Sequence, residues 1–120
     1  MSSRVVNVYG IRNCDTVKQA RRWLDAQGIA YRFHDFRSDG LEPARLARWL
    51  NEPGWEQLIN RRGTTWRQLD ANTRERLSAA TAAELLLAHP TLIRRPVLEQ
   101  AGQVYLGFSP EAYAHIFHSA

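Results

Sequence analysis

Along the first forty residues the apolar positions change period twice. RVVNVY, residues 4 to 9, is a short β-branched run and predicts a strand from Arg4 to Tyr9, with Gly10 to Asp15 as a loop. From about Thr16 the period lengthens. Val17, Ala20, Trp23 and Leu24 fall on one side, and Lys18, Arg21, Arg22 and Asp25 largely on the other, which is an amphipathic helix. Gly28 is its expected stop. From Ala30 to Phe36, Tyr31, Phe33 and Asp35 alternate with Arg32, His34 and Phe36, predicting a second strand. Strand, helix and strand within about thirty-five residues make a βαβ unit, with parallel strands and a right-handed crossover.

SDG at residues 38 to 40 breaks this pattern, and from Leu41 to His89 no strand signal appears. Pro43 suits the first turn of a helix carrying Leu46, Trp49 and Leu50, which Gly54 should end. GWEQLIN supports a short helix up to Asn60, and Arg61, Arg62 and Gly63 form a basic turn before TTWRQL. Thr81 and Glu84 fit a capping box ahead of Leu85, Leu86 and Leu87, and Pro90 closes that helix. The stretch reads as a helical subdomain beside the sheet.

Val97 to Glu99 and Gln103 to Phe108 then predict two strands joined at Ala101-Gly102, an antiparallel hairpin. Ser109 is the expected cap of a last helix, with Pro110 at its first position and Glu111 in its first turn. Ala112, Ile116 and either Tyr113 or Phe117 should form its core face. The order is βαβ, helices, ββα.

Length and composition narrow the class. The 120 residues suffice for one domain with a real core, and 44% hydrophobic with 23% charged residues is ordinary globular composition. No signal-peptide pattern or membrane-length apolar run is present, and one cysteine excludes an internal disulfide. The expected setting is reducing and cytoplasmic, with no membrane association. Net charge is +4, and 15 of the 16 cationic residues are arginine, whose planar fork suits oxyanions. A genome favouring arginine codons would leave the same excess. No RNA-binding signature or zinc-finger spacing accompanies it, so nucleic acid is not an expected partner. His34, His89, His115 and His118 do not cluster with the cysteine as metal ligands would.

Cys14 carries the chemistry. It lies just before a helix, where backbone N–H groups lack intrahelical partners and the helix adds roughly half a positive charge. Such positions favour a thiolate and also bind anions. Arg12 adds a cation two residues earlier. The alternative is a small buried hydrophobe, the commonest use of a free cysteine. The neighbours Asn13, Asp15 and Thr16, all turn or cap formers, oppose it. Two other arginines stand in special places. Arg95 precedes Pro96 at a strand entrance, where a cis peptide is at home, and Arg61 opens the basic turn. A solvated arginine is the plain alternative for each.

The βαβ–ββα order with a proline before the third strand resembles the thioredoxin fold: α/β, a four-stranded mixed sheet with a helical insertion between its halves. YGIRNCDT, LINRRGTTWR at 58 to 67 and LIRRPVL at 92 to 98 are similar to the ArsC/Spx family of arsenate reductases and Spx transcription regulators, over nearly the whole chain. Among its branches the chain looks most like the YffB type, associated with glutathione-dependent thiol reduction. The resemblance implies one ArsC-like domain over 1–120, with a thioredoxin-like core at 1–40 and 90–120 and a helical subdomain at 41–89. It makes Cys14 the nucleophile, with Arg12, Asn13, Arg61 and Arg95 binding an anion or glutathione, and Arg62, Thr64 and Pro96 beside them. Thr65 also falls beside Arg61. The implied activity is that of a thiol-dependent reductase of a disulfide or an arsenate-like oxyanion, with glutathione as co-substrate, no bound cofactor or metal, glutaredoxin as a partner, and a monomer. The family's third arginine matches Gly107 here, which turns the expectation away from arsenate. The rival expectation is an Spx-like regulator that binds partners without turnover. Those regulators pair two cysteines in a CXXC switch, and the matching position here is Val17.

Overall fold

The computed structural model describes residues 5–118, so Arg4, read as the start of the first strand, lies outside the described residues. The chain divides into two compact units, Met1–Asp35 with Arg95–Ala120, and Phe36–Arg94. No described helix is long and apolar enough to cross a membrane.

The first unit is a four-stranded mixed sheet with two helices, a thioredoxin-like α/β fold. Its strands are β1 (Asn7–Gly10), β2 (Arg32–Asp35), β3 (Val97–Gln100) and β4 (Gln103–Leu106), in the order β2-β1-β3-β4. β1 and β2 are parallel, while β3 is antiparallel to both β1 and β4. Helix α1 (Asp15–Ala26) connects β1 to β2 as the expected crossover. It stops where expected. Gly28 has φ +70, its N–H donates to the Asp25 carbonyl, and the Ile29 N–H donates to that of Leu24. This double closure satisfies carbonyls the helix end would strand.

One face of the sheet holds the core. Val6, Val8 and Leu98 pack with Ala20 and Leu24 of α1 and with Tyr113 of the final helix α7 (Pro110–His118). Each large side chain fully buried here contributes about 1.5–3 kcal/mol. Trp23 meets Tyr113 edge-on at 5.7 Å, and Phe108 meets Tyr113 the same way at 4.7 Å. Tyr113, Ile116 and Phe117 form the inward side of α7, whereas Ala112, expected among them, is exposed. The register puts Asn7, Tyr9, His34 and Glu99 on the opposite face. There Tyr9 stacks on His34 at 4.5 Å and donates its hydroxyl proton to Glu99 at 3.1 Å.

The hairpin turns at Ala101 (φ +53) and Gly102 (φ +77), the two left-handed residues that a tight two-residue connection needs. Ser109 caps α7, its Oγ accepting the Ala112 N–H at 3.1 Å.

The second unit is helical. It contains α2 (Pro43–Trp49), a π-type turn (Leu50–Gly54), α3 (Trp55–Leu58), α4 (Thr64–Gln68), α5 (Ala71–Glu75), α6 (Ala79–Ala88) and a 3₁₀ turn (Pro90–Leu92). Trp49, Leu46, Leu58, Leu86 and Leu92 are fully buried. Helix α2 ends earlier than expected, because Glu52 leaves helical geometry (φ −150) ahead of a cis peptide to Pro53. Gly54 is instead the residue before α3. The capping box also sits elsewhere. It pairs Ser78 with Thr81 at the start of α6, one turn before the expected Thr81–Glu84, since the alanines between can already be helical.

Candidate active site around Cys14

The route from β1 into α1 is built by two close contacts. Gly10, read from sequence as loop, is the last residue of β1. It faces Val17 of α1 so closely that a Cβ on residue 10 would stand 2.7 Å from a Val17 methyl carbon. Two residues on, the Arg12 N–H donates to Asp35 Oδ2 at 2.9 Å, with the Arg12 guanidinium 3.6 Å from the same oxygen. Between these points and the first helical turn lie only Asn13 and Cys14.

Cys14 is the N-cap residue of α1, in extended geometry (φ −127, ψ 125), and its carbonyl accepts the Lys18 N–H at 2.9 Å. Its side chain makes no capping hydrogen bond and is half-buried, neither sealed in the core nor fully in solvent. Asp15 is the first helical residue and not the cap. Arg12 and Asn13 are exposed beside it. The Arg12 guanidinium also lies 5.6 Å from the centre of the Phe33 ring, which Arg21 approaches to 4.1 Å.

Arg95 and Pro96 lie at the same end of the sheet as this loop. β3 runs antiparallel to β1 with Tyr9 opposite Val97, so the residues just before Val97 lie beyond the end of β1 from which the Cys14 loop departs. The Arg95–Pro96 peptide is cis, Arg95 is half-buried and Pro96 is buried. Gly107, which the resemblance leads one to expect in the place of the family's third arginine, donates its N–H to the Pro96 carbonyl at 2.9 Å. Its φ of +77 suits glycine, so this backbone disfavours an arginine by itself.

Arg61, Arg62 and Thr64 belong to the second unit and are exposed. Asn60 shapes their turn. Its N–H bonds to the Leu92 carbonyl at 2.7 Å and its Oδ1 accepts the Arg62 N–H at 3.0 Å. The Arg61 guanidinium lies 5.5 Å from the centre of the Trp66 ring, and the Thr65 hydroxyl bonds that of Thr91 at 2.7 Å.

Two contributors carry little signal in the sequence. Asp35 reads as one of three alternating strand residues, and Asn60 only as a helix end. Each acts through a contact with a residue near in space, and only Asn60, two residues before its partner, left a local trace as a turn former.

The chain matches known proteins over nearly its whole length. The family model described as ArsC matches residues 9–116. A protein of Haemophilus influenzae, described as an uncharacterized protein, is 42% identical over 113 residues, 94% of this chain and 99% of its own. The solved structure of the YffB protein is 49% identical with a TM-score of 0.86, covering 91% of this chain and 96% of its own. That of an arsenate reductase related protein from Brucella melitensis is 46% identical with a TM-score of 0.78, covering 100% and 99%. The global transcriptional regulator Spx of Streptococcus mutans is 26% identical over 109 residues, 89% of this chain and 79% of its own.

Proposed function

This chain belongs to the ArsC family, and on that footing we propose that it is a single-cysteine oxidoreductase that reduces disulfides of glutathione. The observation that supports this reading most is the placement of Cys14. The lone thiol stands half-buried at the start of a twelve-residue helix, with no capping bond of its own and a guanidinium two residues away.

The chemistry follows from having one sulfur. Cys14, as thiolate, attacks the glutathione sulfur of a mixed disulfide, forms a new S–S bond and expels the other thiolate. The departing anion takes a proton from water. With no second cysteine, the glutathionylated Cys14 must be cleared from outside. A glutathione thiolate, or glutaredoxin acting for it, attacks the glutathione sulfur, forms oxidised glutathione or a glutathionylated glutaredoxin, and returns Cys14 to its starting state. Helix N–H groups and the Arg12 and Arg95 guanidiniums supply the positive field for attacking and leaving sulfur, with Asn13 and Pro96 beside them, and Arg61, Arg62 and Thr64 are the further anion-binding residues that the family likeness implies. A carboxylate-bearing tripeptide suits separate arginines, whereas arsenate, a compact dianion, loses a charge-assisted contact at Gly107.

The second reading, a regulator that binds partners without turnover, draws on the likeness to Spx. Val17 stands where a CXXC switch needs its second thiol, and it is fully buried in α1. Turnover of a glutathionylated peptide by reduced glutathione, followed by release of oxidised glutathione, separates the two. Activity in the wild type that disappears in Cys14→Ser supports the reductase. No turnover with any glutathione disulfide or with arsenate turns the assignment to the regulator.

A further inference from the structure

Asp35 is the buried charged side chain among the described residues, 4% exposed. A carboxylate removed from water is costly unless it is paired, so its partners carry meaning. It closes the parallel ladder, opposite Gly10, where β1 ends and the Cys14 loop begins. Its Oδ2 takes the Arg12 N–H at 2.9 Å and stands 3.6 Å from the Arg12 guanidinium, whose side chain is 62% exposed. One buried oxygen therefore fixes the backbone two residues before the thiol and tethers the guanidinium of that same residue.

We infer that Asp35 is a positioning residue for the chemistry of Cys14, holding the Ile11–Cys14 segment so that the thiol lands on the start of α1 with Arg12 beside it. The inference rests on Cys14 being the reacting group of the proposed function. The two roles of the carboxylate are separable. Acceptance of the Arg12 N–H needs only an oxygen, which asparagine also offers. Restraint of the guanidinium needs the charge.

Alkylation of the single thiol in the folded protein tests this, with neutral iodoacetamide and anionic iodoacetate as probes. Asp35→Ala should slow iodoacetamide about tenfold, because a thiol no longer held at the start of α1 loses the backbone N–H groups that favour its thiolate. Asp35→Asn should stay within about twofold for iodoacetamide while its iodoacetate-to-iodoacetamide ratio rises about twofold or more, because the negative charge beside the Arg12 guanidinium has been removed. Leu86→Ala, a core change in the helical unit, should lower stability and leave both rates alone. Wild-type rates in Asp35→Ala, equal slowing in Asp35→Asn and Asp35→Ala, an unmoved probe ratio in Asp35→Asn, or the same slowing in Leu86→Ala each overturn the inference. If Asp35→Ala does not fold, hydrogen exchange at the wild-type Arg12 amide decides. Protection supports the anchor, and exchange at the rate of an unstructured peptide removes it. Neither probe involves glutathione, so a wild type without glutathione turnover defeats the proposed function while the alkylation pattern still judges Asp35.

Discussion

Replacing Gly10 by alanine sets two physical effects against each other. Propensity favours the change, since glycine in a strand interior costs roughly 0.5–1 kcal/mol relative to alanine. Packing opposes it. The new Cβ would stand 2.7 Å from Val17 Cγ2, 3.6 Å from Cγ1 and 3.7 Å from Cβ, so rotating the valine merely exchanges one methyl for the other. Val17 is fully buried, and a β-branched side chain in a helix has essentially one rotamer. Overpacking of this kind costs about 1–3 kcal/mol. Midpoints of about 2 against about 0.75 leave Gly10→Ala destabilised by about 1 kcal/mol. Val17→Ala alone should cost about 2 kcal/mol, two buried methyl groups plus the space they vacate. In that background the clash is gone, and Gly10→Ala should become stabilising by about 0.5–1 kcal/mol. The double-mutant cycle thus carries a coupling of about 2 kcal/mol, equal to the overpacking term. Urea unfolding followed by tryptophan fluorescence measures all four proteins. Additivity within about 0.5 kcal/mol would refute the reasoning, because the contact would then not decide the residue at position 10.

Tyr113→Phe removes a buried hydroxyl that has no hydrogen-bond partner among the described residues, so it should stabilise by about 1 kcal/mol in urea unfolding; a loss would show a partner was broken. Burial also pushes the Tyr113 hydroxyl well above its ordinary 10.0, so in the wild type the unfolded chain ionises first and stability falls as pH rises past 10.0. The phenylalanine variant should lose that share of the alkaline decline. Asp70 caps α5 by accepting the Thr73 N–H at 2.7 Å, a bond that holds its carboxyl below the ordinary 3.8. Its stabilising share is present above 3.8 and disappears as pH falls through the lower folded value, so Asp70→Asn should flatten the acid limb of a stability-pH curve. Gly107→Arg should cost about 1–2 kcal/mol for a side chain in the left-handed region. Calorimetry checks that cost, and arsenate titration of the same variant shows whether the third cation restores oxyanion affinity.

Much of the fold was legible because its signals are local. The Gly28 stop, the Ser109 cap and the Ala101–Gly102 turn each depend on residues within a few positions, and each stands where the chain spells it. Boundaries moved where a distant partner intervened. Gly10 reads as loop by residue type, yet it completes β1 because β2 and β3 flank the strand and α1 tolerates nothing larger there. Thr64 to Glu75 holds two short helices without a strong apolar period of its own. The Arg74 guanidinium, bonded to the Leu69 carbonyl at 2.7 Å, ties their junction.

For the candidate site the division is similar. Sequence alone determined that there is one thiol, that it precedes a helix and that a cation stands two residues before it, since these are properties of neighbouring residues along one chain. Tertiary structure alone decided that Asp35 anchors the thiol's loop, that the cis Arg95–Pro96 peptide sits at the same end of the sheet, and that Gly107 closes against Pro96. Those contacts join residues between 11 and 88 positions apart, and only strand pairing and core burial, which no local pattern encodes, bring them within bonding range.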